Sequence, residues 1–144
     1  MKIESPSFAN KQKIPKKHSC EGEDISPELV LSDIPKDVKS FALIVEDPDA
    51  PGGVFDHWIA WNIPADTKKL PEGAKVPKQG MNGFGDKRYR GPCPPPGKAH
   101  RYFFKLYALD SAIDIPENSR KAALEEAMEG HIMGEAQLIG LYQR

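Results

Sequence analysis

Ser40-Phe-Ala-Leu-Ile-Val-Glu-Asp-Pro-Asp-Ala-Pro51 joins a nearly unbroken apolar run to a stiff, acidic loop. Residues 40–46 are apolar at almost every position, which predicts a central strand covered on both faces. Asp47 closes the run, and Pro48 fixes φ and removes a donor, so the strand must turn there. Asp47 and Asp49 then read in two ways. They are local acceptors in a turn, as aspartate commonly is, or they are carboxylates that position groups in a pocket.

Working outward, the same pattern recurs. Residues 57–63 read His-Trp-Ile-Ala-Trp-Asn-Ile and stop at Pro64. Residues 102–109 form an aromatic-rich run that ends at Asp110, residues 138–142 predict a C-terminal strand, and 29–31 a weak one. The 14 prolines and 12 glycines are spread along the chain and punctuate these runs. Short apolar runs separated by turn residues predict a mostly β protein, a sandwich or barrel. One helix is expected within 116–130. Pro116 precedes it, Asn118 or Ser119 can cap it, Gly130 stops it, and Ala123, Leu124, Ala127 and Met128 share a face. The stretch 64–97 has little periodicity and predicts an ordered, wrapped loop with one or two short strands. A segment of that kind in a compact domain is usually functional. Trp58 and Trp61 fall on opposite faces of their strand and are expected as core or interface residues.

A second Pro/Gly cluster, Gly91-Pro-Cys-Pro-Pro-Pro-Gly97, leads into His100-Arg-Tyr102. Two loops of this type on one rigid scaffold suggest one shared pocket. His57 and His100 would converge there as donors to an anionic oxygen. Tyr102 lies two residues after His100, on the same strand face, and its hydroxyl can donate to the same oxygen. Asp47 would hydrogen-bond a pocket histidine and hold it protonated. Arg101 faces the other way, as a surface residue or ion-pair partner. Pro94 and its neighbours pre-order the rim, so little entropy is lost on binding.

At these residues the chain resembles the phosphatidylethanolamine-binding protein family, which includes Raf kinase inhibitor protein. It is most similar to the short bacterial and archaeal members. The matching pieces are Asp47–Pro51, His57-Trp58, Asn62-Ile63-Pro64, Gly91–Gly97 and His100–Tyr102. Ile14-Pro15, Cys20, Gly22–Pro27, Asn82 and Phe84-Gly85 match as well. The resemblance covers nearly the whole chain. It implies a single domain over 1–144, a β-sandwich of two antiparallel sheets with Greek-key links and a helix near the C-terminus. It also implies a small pocket for phosphate or a phosphoethanolamine head group, lined here by Asp47, Asp49, His57, Pro94, His100 and Tyr102.

Bulk properties set limits on function. A chain of 144 residues supports one domain with a real core. With 20 basic and 21 acidic residues the net charge is −1, which argues against a nucleic-acid binder. The Lys11, Lys13, Lys16, Lys17 cluster reads as solvated surface. No apolar run is long enough to span a membrane. No apolar segment follows Lys2 and Glu4, so no secretory signal is expected, and the protein is expected in the cytoplasm. Cys20 and Cys93 are then expected as free thiols, with Cys93 inert.

No Gly-x-Ser-x-Gly elbow, zinc helix or phosphate loop is present. The first expectation is a module that binds a small anion without turnover, with no metal and no cofactor. The alternatives are an inhibitor of serine proteases or kinases and a metal-assisted hydrolase built on the aspartates and histidines. A homodimer and a protein partner such as a protease or kinase stay open.

Overall fold

A computed structural model describes residues 1–144. In chain order the strands are β1 (Lys2–Glu4), β2 (Gln12–Lys13), β3 (Leu29–Ser32), β4 (Ser40–Asp47), β5 (Phe55–Pro64), β6 (Lys69–Leu70), β7 (Lys78–Gln79) and β8 (His100–Leu109). The helix α1 (Lys121–Met128) follows, and then β9 (Ile132–Tyr142). Two sheets form, β1-β3-β6 and β2-β9-β8-β4-β5-β7. The chain leaves the edge at β7 and returns as β8 on the far side of β4, a Greek-key type of link. The expected mostly β sandwich with one helix is therefore observed. No helix is long and apolar enough to cross a membrane.

β4 is the axis of the large sheet. Every one of its residues is buried, because both of its faces are covered. On one face Phe41, Leu43 and Val45 join Trp58, Ile63, Phe104 and Leu106 under the small sheet. On the other, Ala42 and Ile44 meet Ile59, Trp61 and Leu109 under Leu124 and Met128 of α1. Trp58 and Trp61 thus anchor the two cores on opposite faces, as their spacing predicts. The helix is shorter than the 116–130 window. Its cap residue is Arg120, with no side-chain cap bond; Ser119 instead gives its carbonyl to Met81 N at 2.9 Å.

Two expectations need correction. The large sheet is not wholly antiparallel, since β2 runs parallel to β9 through Gln12↔Gly140 and Lys13↔Leu141. Beside this pairing Ile14 lies so close over Gly140 that a β-carbon there would collide with it. Cys20 and Cys93 are not free thiols but a disulfide, with Cα atoms 5.4 Å apart. The residues around them force that approach. Cys20 N donates to Pro92 O at 3.0 Å, the Tyr89 hydroxyl donates to His18 O at 2.7 Å, and Gly91 is pressed against His18 O where no side chain fits. The stretch 64–97 is ordered and carries the two short strands β6 and β7, as expected.

Candidate ligand-binding site

Residue parity along the strands decides which side chains reach the site. On β8 the even positions point toward the small sheet, so His100 and Tyr102 share that face with Phe104. On β4 the odd positions do, which puts Asp47 on the same side. Asp47 pairs with Phe55 of β5, so the two side chains share a face. Counted from Trp58, which shares the core face with Val45, a regular strand would put its neighbour His57 on the opposite face. The ladder shifts register there: Val45 pairs with Trp58 but Glu46 pairs with Asp56. His57 is the extra residue of a β-bulge, a feature that re-aims side chains beside functional sites. A second shift between Phe41 and Leu43 lies opposite Asn62, whose φ is 55°. The Asn62 side chain pins that kink by bonding both N and O of Ile113.

The result is a cavity of about 140 Å³ at one end of the sandwich, among Asp47, His57, Cys93, Pro94, His100 and Tyr102. Ala50, Pro51, Phe55, Phe84 and Pro95 complete its wall. Each imidazole is held by one nitrogen. His100 Nδ1 donates to Asp47 Oδ2 at 2.7 Å, with both side chains nearly buried. His57 Nδ1 donates to Arg90 O at 2.7 Å; a carbonyl only accepts, so that nitrogen carries the hydrogen. The His57 ring sits edge-on to Tyr102, with centroids 5.2 Å apart, and the His100 ring stacks beyond it.

Tyr102 is 1% exposed, yet its hydroxyl has no hydrogen-bond partner. Burial, followed by the charge of Asp47, pushes that phenol far above its ordinary range, so it remains an O–H. Burial lowers the pKa of His57 below the ordinary histidine value, against the opposing pull of the Arg90 carbonyl. His57 is therefore a neutral ring near pH 7.

The rim is tied down at both ends. Gly91 N donates to Asp24 Oδ1 at 2.7 Å, Cys93 is bonded to Cys20, and Gly97 N donates to Arg144 O at 3.2 Å. Arg144 also reaches Pro94 O at 3.3 Å. Arg90 lies over the Phe84 ring, 4.4 Å from its centroid, and so steadies the opposite wall.

Of the six expected site residues, Asp47, His57, Pro94, His100 and Tyr102 meet at this cavity. Asp49 does not. Its Oδ2 accepts from both N and Nε of Arg101 at 2.9 Å, and its Oδ1 accepts from Nη2 at 2.8 Å. That guanidinium holds the Asp49 carboxyl at a pKa of about 2. Asp49 thus locks the loop to β8 from outside, and Arg101 is its outward ion-pair partner. Phe55 and Phe84 are site residues that the reading of single motifs missed. Its place two residues before His57 was the available signal for Phe55; Phe84 reaches the wall from the loop, edge-on to Phe55 at 4.8 Å.

The phosphatidylethanolamine-binding protein family model matches residues 4–143. A UPF0098 protein of Methanothermobacter thermautotrophicus is 46% identical, over 100% of this chain and 99% of its own. One from Aquifex aeolicus is also 46% identical, over 100% and 89%. Among solved structures, one described as a phosphatidylethanolamine-binding protein homologue of Chlamydia trachomatis superposes with a TM-score of 0.95 at 44% identity, covering 99% of this chain and 97% of its own. E. coli YbcL, described as a new member of the mammalian family, gives 0.92 at 34% identity, covering 99% and 98%. With the fold, the matched span and these relatives in agreement, the chain belongs to the phosphatidylethanolamine-binding protein family, in its bacterial and archaeal branch.

Proposed function

We propose that this protein binds small phosphate-like anions in the cavity between the two proline-rich loops, and that it binds them without turnover. Family membership supports a ligand-binding module. The observation that carries the anion reading is the unpartnered hydroxyl of Tyr102, buried beside two imidazoles. A buried O–H without a partner costs about 1–3 kcal/mol, and a ligand oxygen relieves that cost. His100 is the second donor. Its Nδ1 is committed to Asp47, so the other nitrogen donates to the ligand when the ring is doubly protonated. The tethered rim limits the entropy lost on binding.

The enzyme alternative has less support from the geometry. Asp49, the second carboxylate such a site would use, is engaged by Arg101. Disulfides persist in oxidising compartments and in the cytosol of some hyperthermophiles, and the Cys20–Cys93 bond fits either setting.

Small anions in a preformed, partly wet site should bind with roughly 4–6 kcal/mol, in the high-micromolar to millimolar range. Titration of the protein with inorganic phosphate and O-phosphoethanolamine, followed by NMR, tests this. Shifts confined to His57, His100, Tyr102 and their neighbours are expected. No saturable shift at about tenfold above that range would reject the reading.

A further inference from the structure

The pocket is expected to donate hydrogen bonds to an anion, yet it also holds an acceptor with nothing to accept. His57 gives its Nδ1 hydrogen to the Arg90 carbonyl. The ring is 4% exposed and lines the cavity beside Tyr102. A neutral imidazole with its hydrogen on Nδ1 carries a lone pair on Nε2. The only polar atom His57 can offer a ligand is therefore an acceptor. Proton-free oxyanions such as sulfate present lone pairs alone, and would set lone pair against lone pair at that point. An oxyanion that keeps a hydrogen satisfies it.

We propose that His57 is a specificity-determining residue that accepts a hydrogen bond at Nε2 from a P–OH, so that the pocket selects hydrogen-bearing phosphate over proton-free oxyanions. This rests on the anion-binding reading above. Its ligand class is inorganic phosphate or a phosphate monoester, in preference to a diester such as a lipid phosphate. Tyr102 donates to another oxygen, and His100 does so when its ring is doubly protonated. The charged and titratable groups that face His57 are Asp47 from β4, His100 and Tyr102 from β8, and Asp24 and Arg90 from the loops. Burial of the ring outweighs their influence and keeps it neutral.

The test is a calorimetric titration with four probes: inorganic phosphate, sulfate, methyl phosphate and dimethyl phosphate. At pH 6.5, inorganic phosphate should bind about tenfold or more tighter than sulfate and dimethyl phosphate, which is the discrimination expected when a buried polar group is left unpaired. Raising the pH separates the proposal from a simple histidine titration. A monoester loses its last P–OH above a pKa of about 6, whereas the phosphate dianion keeps one. Between pH 6.5 and pH 8 methyl phosphate should therefore lose about tenfold more affinity than inorganic phosphate. Equal losses would overturn the proposal and leave the anion site standing. Failure of all four probes to bind would overturn both. In His57→Gln, whose amide can turn a donor to the ligand, the preference over sulfate should collapse. Should that variant fold poorly, nitrogen-15 NMR of the wild-type histidines decides independently. The proposal requires His57 as a neutral ring with hydrogen on Nδ1 at pH 6.5; an imidazolium there would overturn it.

Discussion

His100 Nδ1 lies 2.7 Å from Asp47 Oδ2, and the two side chains are 11% and 4% exposed. This contact joins the last residue of β4 to the first residue of β8. It also commits the carboxylate. Asp47 Oδ1 accepts from Asp49 N at 2.7 Å, so one side chain forms both the turn and the anchor of the pocket histidine. The two roles weighed for this aspartate are a single arrangement.

Removing His100 should therefore cost both stability and binding. His100→Ala leaves a buried carboxylate with one partner fewer, which costs about 1–3 kcal/mol. Asp47→Asn keeps a hydrogen-bonding group of the same size and should cost less. Urea unfolding of the two variants and the double variant gives the coupling between them. Additive losses would mean that the 2.7 Å contact contributes nothing.

Tyr102→Phe should separate stability from function. The hydroxyl is buried and unpartnered in the free protein, so its removal should leave stability unchanged or raise it by about 1 kcal/mol. Phosphate affinity should fall about tenfold, the worth of one hydrogen bond to a charged group. Thermal unfolding and an anion titration on the same sample check both signs. A destabilised variant with unaltered binding would show that the hydroxyl serves the fold.

Asp49 and Arg101 predict a different signature. The Asp49 pKa is lowered to about 2 by the hydrogen bonds from Arg101, and its reference value is 3.8. A depressed carboxyl pKa gives stability that is present above the unfolded value and lost as pH falls through the folded one. The loss thus belongs between about pH 4 and pH 2. Arg101 is 52% exposed, so solvent screening keeps the pair's contribution small. In Arg101→Ala the Asp49 titration followed by NMR should return toward the ordinary carboxyl range, with little change in phosphate affinity.

Much of this arrangement was legible in the sequence, and the exceptions share a cause. The strands at 40–46 and 102–109 were readable because apolar runs bounded by Pro and Asp report their own burial. His100 and Tyr102 were assigned to one face by period two alone. The neutrality of His57 was not legible. It depends on burial and on the Arg90 carbonyl, which lies 33 residues away. The bulge that turns His57 inward is likewise a property of strand pairing. Asp49 had a motif position but no sign of its partner, because Arg101 is brought to it only when β8 packs beside β4. The disulfide was misread for the same reason, with its cysteines 73 residues apart. Their approach is dictated by contacts among residues 18–24 and 89–93, and the sequence shows no spacing that announces it.

That disulfide should be a major contributor to stability. Closing a loop with a sequence separation of 73 removes chain entropy from the unfolded state worth about 4 kcal/mol in the loop-closure model. Cys20→Ser with Cys93→Ser should lower the urea midpoint accordingly, and reductant should do the same to the wild type while leaving the variant unmoved. Cys93 also lines the cavity, so phosphate affinity should fall in the variant as the rim loosens. A variant as stable as the wild type in the absence of reductant would mean that the bond is not formed in solution.

His57 gives the fold a sensitivity to acid that is separate from binding. Its folded pKa lies below the reference value of 6.5 because burial disfavours the imidazolium. The unfolded chain then takes up this proton at a higher pH than the folded one. Stability from the neutral ring is fully present above pH 6.5 and is lost as pH falls from there through the folded pKa. The loss is at most about 1.4 kcal/mol per pH unit for one such group. Raising the pH from 7 to 9 should leave this contribution unaltered. The measurement is urea unfolding at half-unit steps from pH 5 to pH 8, in wild type and in His57→Gln, at fixed ionic strength and without phosphate. The wild type should show the steeper loss below pH 6.5, and the variant should lack that part of the slope because its amide does not titrate. Parallel profiles would place the folded and unfolded pKa values of His57 together, and the neutral ring would no longer explain how the pocket is built.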